Sequence, residues 1–351
     1  MKTKFPGHYQ LSSDQIKELW ESATIVLDTN VLLDFYRVSK QTSSELLGIL
    51  EHYARQGRIF IPFQNASEYH ANILTVISEQ KRMYDGALKH LDKFNEDVAK
   101  KRSHPFMDEE LANSFGELFQ KIKANFKDKK DNLDHLLTEN EIKDKLGEML
   151  NGMVGERFSD EDLAKIYKEG ESRYNLKIPP GFKDTNKNGN EKYGDLVVWK
   201  EIIQYSKNNE KEIIFVSSDT KEDWYQIIDG KTIGPLPKLR EEFLKETGMI
   251  IHFYTLEQFL THAKEEEKAE VSEQTINEVG SLLNIWENMK LFNHIHTNHP
   301  ITISSTKEQG INENHFGQIS ALARDWTCSE KQDSIISSTK EQVASEEPKQ
   351  K

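Results

Sequence analysis

The sequence predicts an α/β fold: a three-layer α/β/α core around a mainly parallel sheet, with an inserted helical region and a polar C-terminal tail. Three observations carry this. Four short apolar runs, several of them β-branched, recur at 24–28, 58–62, 212–219 and 249–255, and runs of that length bounded by polar residues read as buried strands. Segments of helical spacing separate them, so successive strands are joined by crossovers and pair in parallel. From about 75 to 175 the pattern turns helical and very polar, which marks an insertion into the α/β repeat.

In chain order, 11–22 is a lead-in helix with Ser13 as N-cap before Ile16, Leu19 and Trp20. The first strand, 24–28, ends in Asp28, and a turn holding Asn30 then opens a second apolar run through Asp34, which is read as a helix-surface residue. Leu46, Leu47, Ile49, Leu50 and Tyr53 give a helix over 41–54, and RIFIP at 58–62 is the second strand. After Pro62 a helix begins, with Asn65 or Ser67 as its cap and Glu68 in its first turn, where the helix dipole favours a carboxylate. Within the insert, Phe115, Leu118, Phe119, Ile122, Phe126, Leu133, Leu136 and Leu137 form one stripe, read as a helical hairpin or cap. Lys121, Lys123, Lys127, Lys129 and Lys130 decorate it, either as a solvated face or as one that tracks phosphate.

Residues 175–195, rich in Pro, Gly and Asn, are the clearest loop. They lead into an amphipathic helix whose first turn holds Asp195; the third strand, 212–219, ends in Asp219, and Thr255 with Gln258 makes a capping box after the fourth. Beyond about 265 polar residues dominate, apart from an amphipathic helix carrying Ile276, Val279, Leu283 and Trp286, and SSTKEQ occurs twice, at 304–309 and 337–342. That stretch reads as a weakly ordered extension.

Composition bounds the function. The net charge of −13 argues against coating nucleic acid through bulk electrostatics, but a metal site is itself a cluster of carboxylates. Cys328 is the sole cysteine, so neither an intramolecular disulfide nor a thiolate zinc site is available. No signal-peptide core and no membrane-span window is present, and a cytoplasmic protein is expected.

Asp28 and Asp219 at strand ends, and Glu68 and Asp195 in first helical turns, converge on one edge if the sheet is parallel. Such an all-oxygen cluster suits Mg²⁺ or Mn²⁺ and implies metal-assisted hydrolysis of a phosphodiester. LDTNVLLD at 27–34, the Glu68 helix, GD-x-x-x-W at 194–199 and FVSSDTKEDW at 215–224, in that order, resemble a PIN-like domain of the large bacterial subgroup with a long helical insert. Lys183-Asp184 ahead of Tyr193-Gly194-Asp195 matches a pairing in that subgroup, and the resemblance spans roughly 20 to 262. Ser218 stands before Asp219 where Thr or Asp is more usual, and the roughly 100-residue insert also departs from the commonest small pattern.

The resemblance implies a Mg²⁺- or Mn²⁺-dependent nuclease, an endoribonuclease on single-stranded RNA in a toxin or antiphage setting. It makes Asp28, Glu68, Asp195 and Asp219 the metal-site acids and has Asn30 orient Asp28 or a ligand water. Asp184, Asp223 and Lys221 are accessory candidates for a second metal, its waters or phosphate, and Lys121, Lys123 and Lys127 are candidates for gripping the strand. The nuclease domain is expected over 1–265 and the extension over 266–351, with the insert or the tail offered to a protein partner. The rival from another class is a PIN-like binding or scaffold module that keeps its acids without turnover. Residues 184–195 also nearly match a calcium loop, but Asp195 stands where a bidentate Glu is usual. His294, His296 and His299 in the tail are a weaker transition-metal candidate.

Overall fold

The structure, a computed structural model, describes residues 1–99, 108–218, 220–229, 231–266 and 269–282. Asp219, the tail histidines, Cys328, Leu283, Trp286 and both SSTKEQ copies lie outside the described residues.

The sheet is built from β1 (Thr24–Leu27), β2 (Ile59–Phe60), β3 (Ile213–Ser217) and a fourth strand, β6 (Ile251–Thr255), in the order β2-β1-β3-β6 with every pairing parallel. Between β3 and β6 lies an antiparallel hairpin, β4 (Tyr225–Ile228) and β5 (Lys231–Pro235), which turns through Asp229 at φ 51°. Alternation along the strands divides the interior into two cores. Ile25, Leu27, Ile214, Val216 and Tyr254 face one side, where they meet α1 (Ser13–Ser22), α2 (Thr29–Asp34), α3 (Lys40–Arg55) and, from the chain's far end, α10 (Leu256–Glu266). Val26, Ile213, Phe215, Ile251 and Phe253 face the other, against α7 (Asp160–Asn175), α8 (Gly194–Asn209) and α9 (Pro237–Thr247). This is the expected three-layer arrangement.

The chain leaves β1 for β2 on one side and later enters β3 on the other, so the order reverses between β1 and β3. In open α/β sheets the ligand crevice lies beyond the carboxyl ends of the strands at such a reversal.

The insert grows out of a single helix. α4 (Phe63–Ala99) runs on from Glu68 into the hairpin, whose second arm is α5 (Glu109–Thr138). Phe119 is buried between the arms, Tyr84 meets Phe126 and Phe94 meets Phe115, while Leu118 sits at the margin of the stripe and is 55% exposed. α6 (Glu141–Met149) then brings the chain back to the sheet edge, where the Ile61 amide bonds to Met153 O and the Gly155 amide to Ile61 O, both at 2.9 Å.

Some local details differ from the sequence reading. Ser12, rather than Ser13, caps α1, exchanging bonds with Gln15 in a capping box. Asn65 is fully buried and its amide donates to Leu27 O, so it ties α4 to β1 instead of capping. Asp34 is buried, not on the helix surface: α2 is only six residues long, and its last residue turns inward to pair with Arg37 at 2.9 Å. The box of Thr255 and Gln258 is present, both bonds at 3.1 Å. Past α10, residues 273–282 are helical, with Ile276, Val279 and Leu282 buried and Glu278 accepting from Ser39, the N-cap of α3, and from Thr42 in its first turn.

Candidate active site

Where β1 ends, the Asp28 amide still bonds to Val216 O at 2.9 Å, and its side chain caps the N-terminus of α2 by accepting from the Thr29 amide at 2.8 Å. The other carboxylate oxygen accepts from Asn30 Nδ2 at 3.0 Å and from Ser217 Oγ, at the end of β3, at 2.7 Å. Asp28 is therefore held in one orientation by two adjacent strands at the reversal point.

Glu68 is the sixth residue of α4 and stands in its second turn, not its first. Gln64 Nε2 donates to one oxygen at 2.8 Å and Thr29 Oγ1 to the other at 3.1 Å. The N-terminus of α4 is covered instead by Glu201 of α8, which is buried and accepts from the Gln64 amide at 3.1 Å. A carboxylate is favoured there by the dipole and by the open amides. Glu68 also lies against the start of α8: a Cβ added to Gly194 would stand 2.9 Å from its Oε1, so glycine is what permits the approach.

Asp195 follows directly, and Trp224 Nε1 donates to its Oδ2 at 3.1 Å while Lys221 Nζ lies 3.8 Å away. Gly181, at φ 87°, packs against Asp195 from the opposite loop; a Cβ there would come within 3.1 Å of the Asp195 Cβ and 2.2 Å of the Tyr174 hydroxyl. Asp28, Glu68, Asp195, Asn30 and Lys221 thus line one cleft of about 550 Å³, together with Gln64, Ser217, Trp224 and Lys187.

Electrostatics mark this cleft. Burial, followed by the like charges of Asp195 and Glu68, pushes the Asp28 carboxyl up to about 7 against the opposing bond from Ser217 and the charge of Lys221. Glu201 is likewise pushed up to about 7, chiefly by burial and then by Glu68.

The remaining candidates fall elsewhere. Asp223 is fully buried behind the cleft, accepting from the Lys183 amide at 3.1 Å, while its Oδ1 has no hydrogen-bond partner among the described residues. Burial raises its carboxyl, and Asp195 adds to the shift. Asp184 pairs with Lys187 at 2.6 Å and does not line the cleft. Asp184 and Asp195, the first and last positions of the calcium-loop pattern, therefore turn to different partners. Lys121, Lys123 and Lys127 lie on the hairpin and line no part of the cleft; Lys123 bonds to Asp92 at 2.9 Å. Ser218, next to the undescribed Asp219, donates to Asp34.

Among the described residues, no three His, Cys, Asp or Glu side chains form a group that could hold a metal ion by themselves. The donor set still fits a hard dication. The acids around the cleft are carboxylates, the charge of Asp195 helps to raise the buried Asp28 carboxyl, and Mg²⁺ or Mn²⁺ binds through one or two carboxylates with several waters retained.

A family model described as a PIN-like domain matches residues 24–239, from β1 into α9 and more than half of the chain. The chain belongs to the PIN-like domain family. Members of this family are often nucleases. The PIN-like match takes in the helical hairpin and β1, β2 and β3 of the sheet, and ends before β6. No curated protein and no solved structure matches the chain. No described helix is long and apolar enough to cross a membrane.

Gln64, Thr29, Ser217, Trp224, Lys187 and Glu201 were not foreseen as part of the site. Ser217 and Trp224 sit inside the FVSSDTKEDW run, where adjacency to the acids was a usable signal; Glu201, six residues after Asp195 on an apolar helix, carried none.

Proposed function

We propose that this PIN-like chain is a Mg²⁺- or Mn²⁺-dependent nuclease, an endoribonuclease acting on single-stranded RNA, with a role in a toxin or antiphage system. The observation that carries the proposal is the meeting of Asp28, Glu68 and Asp195, from three separate elements, around one cleft at the reversal point of the sheet. The RNA assignment follows the family's usual substrate.

Asp28, Asp195 and Asp219 would hold the ion, directly or through waters, and Glu68 would position it or the attacking water. A bound dication supplies a more acidic water and offsets charge developing on the phosphate. The chain's own groups supply the orientation. Asn30 and Ser217 fix the Asp28 carboxylate, Gln64 and Thr29 fix Glu68, and the Trp224 indole fixes Asp195. Lys221 and Lys187 give the cleft its cationic side chains, placed to meet phosphate oxygens.

A second reading has an observation of its own. Both oxygens of Asp28 and both of Glu68 already accept protein donors, so the site keeps its shape without an ion, as a binding module would require. Labelled single-stranded RNA, single-stranded DNA and duplex DNA, incubated with Mg²⁺, Mn²⁺ or EDTA, separate the two. A nuclease cuts RNA only with the ion and loses the activity in Asp28→Asn. Cleavage that Asp28→Asn leaves intact overturns the site, and a folded, Mn²⁺-binding protein that cuts none of the three favours the binding module.

A further inference from the structure

A second cavity, of about 560 Å³, opens on the outer side of the loop that borders the cleft. Tyr174, Lys177, Phe182, Thr185 and Asn186 line it, together with the ion-paired Lys183 and Glu222. The two cavities share that loop: Lys187 faces the cleft, while the residues just before it face the second cavity.

Three features of this place call for a ligand. Phe182 is half-buried and, among the described residues, stacks on no other ring, although it sits in a strongly polar loop. Lys177 is exposed, has no ion-pair partner among the described residues, and takes the left-handed conformation, φ 52°, just after α7. Glycine is the usual residue there, because a Cβ in that region costs about 1 kcal/mol or more. Finally, residues 176–193 carry four lysines, Lys177, Lys183, Lys187 and Lys192, against Asp184, Glu191 and the cavity-lining Glu222, a local excess of one positive charge in a chain of net charge −13.

The loop is also held in shape. The buried Asp223 accepts from the Lys183 amide, Lys183 Nζ pairs with Glu222, and the Tyr174 hydroxyl donates to Lys192 O at 2.9 Å. Arg173, buried and paired with Glu242, donates to Pro179 O. A preorganised loop presenting a free aromatic face, an amide, a hydroxyl and a cation matches what holds an unpaired nucleotide: a ring for the base to stack on, polar groups for its edge, and a lysine for the adjoining phosphate.

We propose that this cavity is a subsite for one nucleobase of a single strand whose neighbouring phosphates run past Lys187 into the cleft. Phe182 stacks the base, Asn186 and Thr185 meet its edge, and Lys177 takes the outer phosphate. The proposal rests on the nuclease reading and adds to it a directional track along the rim.

The test uses the full chain carrying Asp28→Asn, which keeps the RNA intact, with Mn²⁺ and an RNA of about 12 nucleotides. A 2-aminopurine is moved through the RNA one position at a time. At one position its fluorescence should be quenched on binding; the quench should vanish in Phe182→Leu and return in Phe182→Trp, with affinity falling about tenfold in the leucine variant. Lys177→Gln should weaken binding and flatten its salt dependence by about one phosphate contact. RNA binding with no quenched position, or with Phe182→Leu indistinguishable from its parent, overturns the subsite and leaves the nuclease reading standing. If the wild-type chain neither binds nor cuts any single strand, the nuclease reading fails and the subsite falls with it.

Discussion

Near its N-terminus α4 brings Glu68 to a cleft it shares with Asp28 and Asp195; farther along, its Lys81, Asp85 and Asp92 meet Asp134, Lys130 and Lys123 of α5. Both regions are dense in charge. At the cleft the carboxylates outnumber the nearby cations, and burial, followed by the charges of Asp195 and Glu68, pushes the Asp28 carboxyl up to about 7. On the hairpin the charges alternate in sign and remain partly exposed, where an ion pair contributes little and is screened by salt. One helix thus carries both uses of charge. Acids gathered at a buried sheet edge raise one carboxyl well above its ordinary value, whereas paired charges on a solvated hairpin assist packing and solubility without specifying chemistry.

The strongest challenge to this contrast is Asp28→Asn. Metal-dependent cleavage should fall by roughly 10³-fold or more. The thermal midpoint of the metal-free protein should stay level or rise, because a repelled buried charge has been removed. A variant that unfolds instead would show that the carboxylate is structural.

Gly194→Ala comes next. In the first turn of α8 alanine is an acceptable or better helix residue, yet its Cβ would crowd Glu68 Oε1. Activity should drop about 10–100-fold with stability unchanged. Equal loss of both would place the effect in packing.

Glu201→Gln probes the carboxylate behind the cleft. The wild-type carboxyl is raised from 4.5 to about 7 in the fold, so the native state holds a proton that the unfolded chain releases across that window. Wild-type stability therefore falls as pH rises from 4.5 to 7, and the penalty is complete above 7. The glutamine variant removes it, so its stability relative to wild type should climb over the same range by on the order of 3 kcal/mol, read from urea unfolding at pH 4.5, 6 and 8. A flat difference would mean that Glu201 is solvated.

The smallest effect belongs to the hairpin. Lys123→Ala should move the thermal midpoint by about 1 °C or less, and 0.5 M salt should erase even that. A shift of several degrees would mean that the hairpin pairs stabilise the fold as much as its apolar contacts do.

Much of the fold was legible because it is written locally. Short continuous apolar runs bounded by polar residues gave the strands of the main sheet, and a polar residue at the end of β1 or the start of α8 marked Asp28 and Asp195 as edge groups. The β4–β5 hairpin was missed, although Asp229-Gly230 is a turn signal, because the flanking residues read equally well as loop. Asp34 was misplaced because helical spacing alone sets a residue's angle, not what lies above it; the turn after β3 covers it.

By itself, then, the sequence determined the parallel α/β core, the helical character of the insert and the placement of Asp28 and Asp195 at element ends, all of which follow from spacing and element ends. Only the tertiary structure decided which groups orient those acids. It drew Ser217 to Asp28, Trp224 to Asp195, and Glu201 across to the N-terminus of α4, where Asn65 had been expected to serve. Those partners lie 189, 29 and 137 residues away in sequence. A buried polar atom takes whatever partner the folded chain brings within about 3 Å, and no local pattern encodes that choice.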